Sequence, residues 1–189
     1  MKKSPTFEKM DQDFDFKNTQ FDCGIEEINH FFYKKAKDFI KEDFSQLYLS
    51  KVKETSEILG FFTLSCTNIR SEEKELSSIG KIARYIPGLL VGIFAVDKKY
   101  QNKGVGSDLM RKAIYFSLKT SLTVGCRCLI VDSSINEQLI IFYQKIGFEF
   151  VNKALGLDIL QKLQEGLKVK RNTIKLYLDF HKIRKTIES

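Results

Sequence analysis

No apolar stretch in these 189 residues approaches the roughly 18 consecutive residues a membrane-spanning helix needs, so no span is expected. The opening, Met1-Lys2-Lys3-Ser4-Pro5, is not followed by an apolar segment, which argues against a secretory leader. Proline is scarce at two residues, while hydrophobic residues make up 43%; that balance excludes a disordered chain and implies a folded globule. At this length a single domain over residues 1–189 is the expectation. Cys23, Cys66, Cys126 and Cys128 lack the paired spacing of a zinc site, and no metal is expected. Cys126 and Cys128 fall on one face of an expected strand and read as core thiols rather than ligands. The expected compartment is the reducing cytoplasm.

Positive charge is in surplus. The net charge of +7 and the pI near 9.1 favour polyanionic partners: nucleic acid, a membrane surface or a phosphorylated cofactor. Much of it lies late in the chain, in Lys168, Lys170, Arg171, Lys175, Lys182, Arg184 and Lys185. A solvated face accounts for that run as well as a phosphate contact does.

The pattern elsewhere alternates between strand and helix. Residues 1–20 are polar and suit an edge strand or ordered lead-in. Ile25, Ile28, Phe32, Ala36, Phe39 and Ile40 recur at helical spacing, with Asp22 or Cys23 near the cap and Asp22 the better acceptor there. Gln46–Val52 and Ile58–Thr67 read as a hairpin around residues 53–57. Residues 70–86 suit a loop or short helix on the active-site side, ended by Pro87-Gly88. Leu89 to Val96 carries no charge and reads as a strand buried on both faces. A helix follows over 105–119, then a strand over 128–131, making a parallel βαβ unit. Asn136–Ile146 is a helix with Gly147 as its C-cap. Phe148–Asn152 is a strand, 153–172 a partly helical insertion, and Ile174 to Phe180 a last strand. The fold class is α/β, a mixed sheet flanked by helices.

Two stretches carry chemistry. The first is Gln101-Asn102-Lys103-Gly104-Val105-Gly106-Ser107, where Gly104 and Gly106 permit a tight turn. Val105, Leu109, Ala113 and Ile114 then continue at helical spacing, so the loop opens into a helix whose free N–H groups and dipole attract an anion such as a pyrophosphate. It is neither GxxxxGK[ST] nor GxGxxG. Alone, it is also compatible with a glycine turn before an ordinary helix. The second is Asn136-Glu-Gln-Leu-Ile-Ile-Phe-Tyr-Gln-Lys-Ile-Gly-Phe148, one βαβ step later.

Together these motifs resemble the GCN5-related N-acetyltransferase (GNAT) family: the acyl-CoA loop pattern of Gln or Arg, two residues, Gly, one residue, Gly or Ala, and then the Asn, Phe-Tyr and Gly-Phe signature. The resemblance implies the acyl-CoA N-acyltransferase fold and acetyl-CoA as co-substrate. Pantetheine would lie along Phe94, Ala95 and Val96. The pyrophosphate would rest on N–H groups from Gln101, Asn102, Lys103, Gly104, Val105, Gly106 and Ser107. Lys103 would add charge or stay solvated; Asn136 would touch the cofactor, brace the loop or cap its helix. Tyr143 is implied as the general acid, because a phenol of pKa about 10 keeps its proton at neutral pH and can give it to a departing thiolate; packing at the helix end is its bland alternative.

Phe21-Asp22-Cys23-Gly24, Ile28-Asn29, Ala36 and the ending Leu176-Tyr177-Leu178 resemble one subgroup, the acetyltransferase toxins of bacterial toxin–antitoxin pairs. That likeness implies aminoacyl-tRNA as acceptor and a ribbon-helix-helix antitoxin as partner, with a homodimer left open. The strand Leu89–Val96 lacks the carboxylate base many family members carry there. Neutralising a lysine of pKa about 10.4 near pH 7.4 costs roughly 4 kcal/mol, whereas an α-amine of pKa about 7.7–8.0 costs under about 1 kcal/mol. A site without a base therefore favours an α-amine. Acetyl transfer to a protein or small amine, and a CoA-binding module without catalysis, are the competing readings.

Overall fold

Phenylalanines organise the first part of the chain. In the computed structural model, which describes residues 5–70 and 83–188, Phe32 is fully buried with its ring 5.0 Å from Phe21, 5.1 Å from Phe61 and 5.3 Å from Phe16. The helix expected from Ile25 to Ile40 forms as three consecutive pieces: α1 (Glu26–His30), a π-helical turn (Phe31–Lys35) and α2 (Ala36–Lys41). Its buried positions Phe32, Ala36 and Ile40 repeat every four residues. An α-helix turns in about 3.6, so the wider π turn keeps them on one face.

This chain forms two compact units. The first comprises Met1–Ser65 with Val91–Phe116, the second Cys66–Leu90 with Ser117–Ser189. Strands β3 (Ile58–Arg70) and β4 (Tyr85–Val96) and helix α3 (Val105–Thr123) each contribute to both. Within the first unit, β1 (Pro5–Lys9) pairs antiparallel with β2 (Gln46–Val52), and β2 pairs antiparallel with β3, Leu49 opposite Phe61. The expected hairpin thus forms, its turn closed by Val52 N–H donating to the Glu57 carbonyl at 2.8 Å.

In the second unit, β5 (Cys128–Ser134) pairs antiparallel with β7 (Thr173–Asp179), Leu129 opposite Leu178; β6 (Glu149–Phe150) pairs on the other side of β7. Ile86, Cys128, Ile130, Val151 and Tyr177 form its core. The hydrogen-bonded order is β1-β2-β3-β4-β5-β7-β6, a seven-stranded mixed sheet, and the α/β class stands. Helices α4 (Glu137–Ile146), α5 (Lys153–Gln164) and α6 (Phe180–Glu188) complete the described elements.

Several boundaries move. Strand β4 begins at Tyr85 rather than Leu89, passing through Pro87 and Gly88. The Pro87 carbonyl still accepts from Arg127 N–H at 2.8 Å, and Gly88 lies so close to Cys128 and Ile130 that a Cβ would sit 2.7 Å from Ile130 Cδ1. The expected strand at Phe148–Asn152 shortens to Glu149–Phe150, because Asn152 caps α5 with its Oδ1 accepting from Leu155 N–H. Phe180 leaves the last strand and opens α6, since the Asp179 carboxylate accepts from the His181 and Lys182 N–H groups and starts the helix there. Asp22 does not cap α1: Ile25 holds that position without a side-chain bond, and the Asp22 carboxylate is taken up nearer by, at Gly24 N–H. The reading of residues 70–86 falls mostly on 71–82, outside the described residues.

Candidate active site

The glycine loop is reached from the end of β4 through residues 97–100. Asn102 and Gly104 both adopt left-handed backbone, with φ of +59° and +84°, so the reversal uses an asparagine and a glycine. Gly106 was expected to share that duty; instead it is the second residue of α3 and takes no positive φ. A Cβ at Gly104 would meet nothing within 4 Å, so the loop is open on that side. Asp108 N–H makes a bond back to the Gly104 carbonyl at 3.2 Å. The N–H groups of Val105, Gly106 and Ser107 therefore precede the first helical bond and point outward along the helix axis. That is the donor set an anion requires.

Two side chains of the loop, Gln101 and Lys103, are committed to the protein. Gln101 Nε2 donates to the carbonyls of Cys23 (2.9 Å) and Val96 (3.0 Å). Lys103 Nζ donates to the Lys99 carbonyl at 2.7 Å and lies 5.9 Å from the Tyr100 ring. The charge expected to meet phosphates is thus folded back on its own loop. Tyr100 is tied to the Glu57 carboxylate, which pushes the phenol up to about 12.

Along β4, Ala95 is buried while Phe94 and Val96 are half-buried. The strand is not buried on both faces throughout, for Gly92 is exposed. Ile93 N–H donates to the Thr63 hydroxyl at 2.9 Å. A polar side chain from β3 thus bonds the main chain of the expected pantetheine strand.

Tyr143 and Asn136 belong to the second unit, the loop and Phe94–Val96 to the first. Tyr143 is 7% exposed on α4, packed edge-on against Phe142 and Phe148 with ring centroids 5.2 and 5.6 Å away. Burial raises its phenol to about 12, so it holds a proton throughout the neutral range. Asn136 is the N-cap of α4, its Oδ1 accepting from Leu139 N–H at 3.1 Å. The oxygen is spent on the helix; the amide of this exposed residue is what remains for a ligand. Gly147 ends α4 at φ +107°, as its position after Ile146 predicts.

Sequence reading missed Asp97, Glu57 and Thr63. The signal for Asp97 was present: an acid placed directly after an apolar strand, here 4% exposed and accepting from the N–H groups of Asp22 and Lys99. Glu57 and Thr63 gave none, because their partners lie 30 or more residues away.

Comparison with known proteins bears on the family and the fold. A "tRNA-acetylating toxin" of Mycobacterium tuberculosis (strain ATCC 25618 / H37Rv) is 24% identical over 135 residues, covering 69% of this chain and 77% of that protein. The structure of AtaT complexed with acetyl-methionyl-tRNAfMet superposes with a TM-score of 0.78 at 22% identity, over 97% of this chain and 99% of that one. A mutant AtaT toxin bound to the C-terminus of the antitoxin AtaR and acetyl-CoA superposes with a TM-score of 0.72 at 22% identity, over 98% and 99%. The family model described as an acetyltransferase (GNAT) domain matches residues 48–150, more than half of the sequence and the stretch containing the loop, Asn136 and Tyr143, and the chain belongs to that family.

Proposed function

We propose that this protein transfers the acetyl group of acetyl-CoA to the α-amine of an aminoacyl-tRNA, and that it acts as the toxin of a toxin–antitoxin pair. The observation carrying the coenzyme half is the run of outward N–H groups from Val105 to Ser107, opening a helix behind a left-handed Gly104 in a GNAT chain. The acceptor half is supported by the relatives: one is named for tRNA acetylation, another is solved with an acetylated methionyl-tRNA. An antitoxin partner is supported by the AtaT–AtaR structure.

Bound acetyl-CoA supplies the thioester. The loop's main-chain N–H groups hold the diphosphate, and β4 around Phe94, Ala95 and Val96 aligns the pantetheine. The acceptor nitrogen attacks the thioester carbon, forming C–N as C–S breaks. Tyr143 gives its proton to the departing sulfur, the nitrogen loses one to solvent, and solvent returns a proton to the Tyr143 phenolate, so the cycle closes. A phenol at about 12 matches a weakly acidic leaving group only where the sulfur is desolvated too, because exclusion of water raises the basicity of a thiolate as it does that of a phenolate. No base is needed for an acceptor amine of pKa about 7.7–8.0. Exposed Lys168, Lys170, Arg171 and Lys185 supply phosphate contacts. Lys175 and Lys182 pair with Asp132 and Glu149, and Arg184 donates to Ser121.

The test is acetyl transfer by the purified protein from labelled acetyl-CoA to charged tRNA, free lysine and polyamines, with calorimetry of acetyl-CoA binding. Transfer to charged tRNA is expected to dominate. Faster transfer to lysine or polyamines overturns the acceptor assignment, and no heat of binding on folded protein overturns the coenzyme site.

A further inference from the structure

We infer that Gln101 and Asp97 are positioning residues that fasten the glycine loop to the turn Asp22–Gly24, and that this brace sets the affinity for the diphosphate part of coenzyme A. The inference rests on the coenzyme reading above and adds to it the means by which the donor row is held.

Four bonds join the turn to residues 97–101 within the first unit, one of them from Gln101 in the loop itself and three from Asp97 and Lys98, which lead into it. Gln101 Nε2 reaches the Cys23 carbonyl at 2.9 Å, and Lys98 N–H reaches the Asp22 carbonyl at 2.8 Å. Asp97 Oδ2 accepts from Asp22 N–H at 2.9 Å, and Lys98 Nζ pairs with the Asp22 carboxylate. The turn is itself closed: Asp22 Oδ1 accepts from Gly24 N–H and Asn29 Nδ2, both at 2.8 Å, while Asn29 Oδ1 accepts from Cys23 N–H at 3.0 Å. Lys98, Gly24 N–H and Asn29 together hold the Asp22 carboxyl at about 2, so the turn keeps its charge across the neutral range.

Gln101 is the residue from which the left-handed Asn102 and Gly104 depart. Both hydrogens of its amide are spent, on Cys23 and Val96 carbonyls. The side chain contributes through the main chain it anchors, not through contact with phosphate. A small displacement of preorganised donors weakens an anion site sharply, because each N–H must meet its oxygen in a narrow range of distance and angle. The chemistry required at 101 is a forked donor facing two carbonyls. Arg meets it; Met fills the volume without donating, and Glu would set oxygen against oxygen.

The test compares acetyl-CoA with acetyl-pantetheine, which has the same thioester and no diphosphate. For Gln101→Met and Asp97→Asn, the KM for acetyl-CoA is expected to rise about tenfold, the size of one or two missing hydrogen bonds, with kcat within about twofold. The kcat/KM for acetyl-pantetheine is expected to fall less than that for acetyl-CoA, because, of the bonds lost, only the one to Val96 touches the strand that aligns pantetheine. Gln101→Arg, which keeps a forked donor, is expected to lose less than Gln101→Met. Calorimetric Kd for CoA follows the same ratios, and the Gln101 series suffices if Asp97→Asn fails to fold. Wild-type binding of CoA with an unchanged Gln101→Met overturns the brace and leaves the coenzyme reading standing. Equal losses on both thioesters overturn it too, as general damage. Wild-type protein that does not bind CoA overturns the coenzyme reading itself.

Discussion

Tyr143 is expected to make its catalytic contribution through one atom. Tyr143→Phe keeps the ring and its edge-on packing against Phe142 and Phe148, so the variant should fold and bind acetyl-CoA as the wild type does. Its kcat should fall by about 10²–10⁴, the usual worth of a general acid, read from steady-state transfer to charged tRNA. Undiminished turnover would leave the phenol as packing. Burial of Tyr143 and Cys128 also bears on pH. Both are raised to about 12 by desolvation, above the values of about 10 and 8.5 they take when unfolded. Below those unfolded values neither group releases a proton in either state. As pH rises further the unfolded chain gives up the proton first, so stability is lost from about pH 9 toward about pH 12. Urea midpoints measured across that range should fall for the wild type and fall less steeply for Cys128→Ala; parallel slopes would remove Cys128 from the account.

Two glycines separate crowding from backbone strain at the level of elements. A Cβ on Gly60 in β3 would lie 2.5 Å from the Ala95 carbonyl oxygen and 3.2 Å from Val96 Cα, so Gly60→Ala must push β4 aside. That should cost about 1–3 kcal/mol in urea unfolding and weaken acetyl-CoA binding as well, since Ala95 and Val96 are the displaced residues. Gly104→Ala meets open space, and its penalty is the left-handed backbone alone, about 1–2 kcal/mol. The hairpin and α4 with its Asn and Gly caps were legible because periodicity and caps are local. The reach of β4 through Pro87-Gly88 and the start of α6 at Phe180 were not, because each is tied to a distant residue: Arg127 at the Pro87 carbonyl, and again at Phe180 N–H and the Asp179 carboxylate.

For the molecule as a whole, the surplus of charge makes the acceptor reading measurable. Residues 153–189 hold nine Lys or Arg against four Asp or Glu. Affinity for tRNA should fall steeply with salt, and replacing Lys168, Lys170 and Arg171 together by Ala should reduce the slope of log K against log salt by about 0.7–0.9 for each phosphate left without its cation. A slope unchanged by the triple variant would place the nucleic acid elsewhere; affinity indifferent to salt would favour a small amine. Among the described residues no helix is long and apolar enough to cross a membrane.

The sequence alone determined the family, the glycine loop, the tyrosine after Phe142 and the want of a carboxylate on Leu89–Val96. Such features are short-range and survive as patterns of residue type. Tertiary structure decided what the loop's side chains do. Lys103 folds back onto Lys99, Gln101 spends its amide on Cys23 and Val96, and Asp97 binds the N–H of a residue 75 positions away. The physical reason is that a polar group satisfies itself with whatever donor or acceptor the fold brings within hydrogen-bond distance, and that neighbour need not be near in the chain.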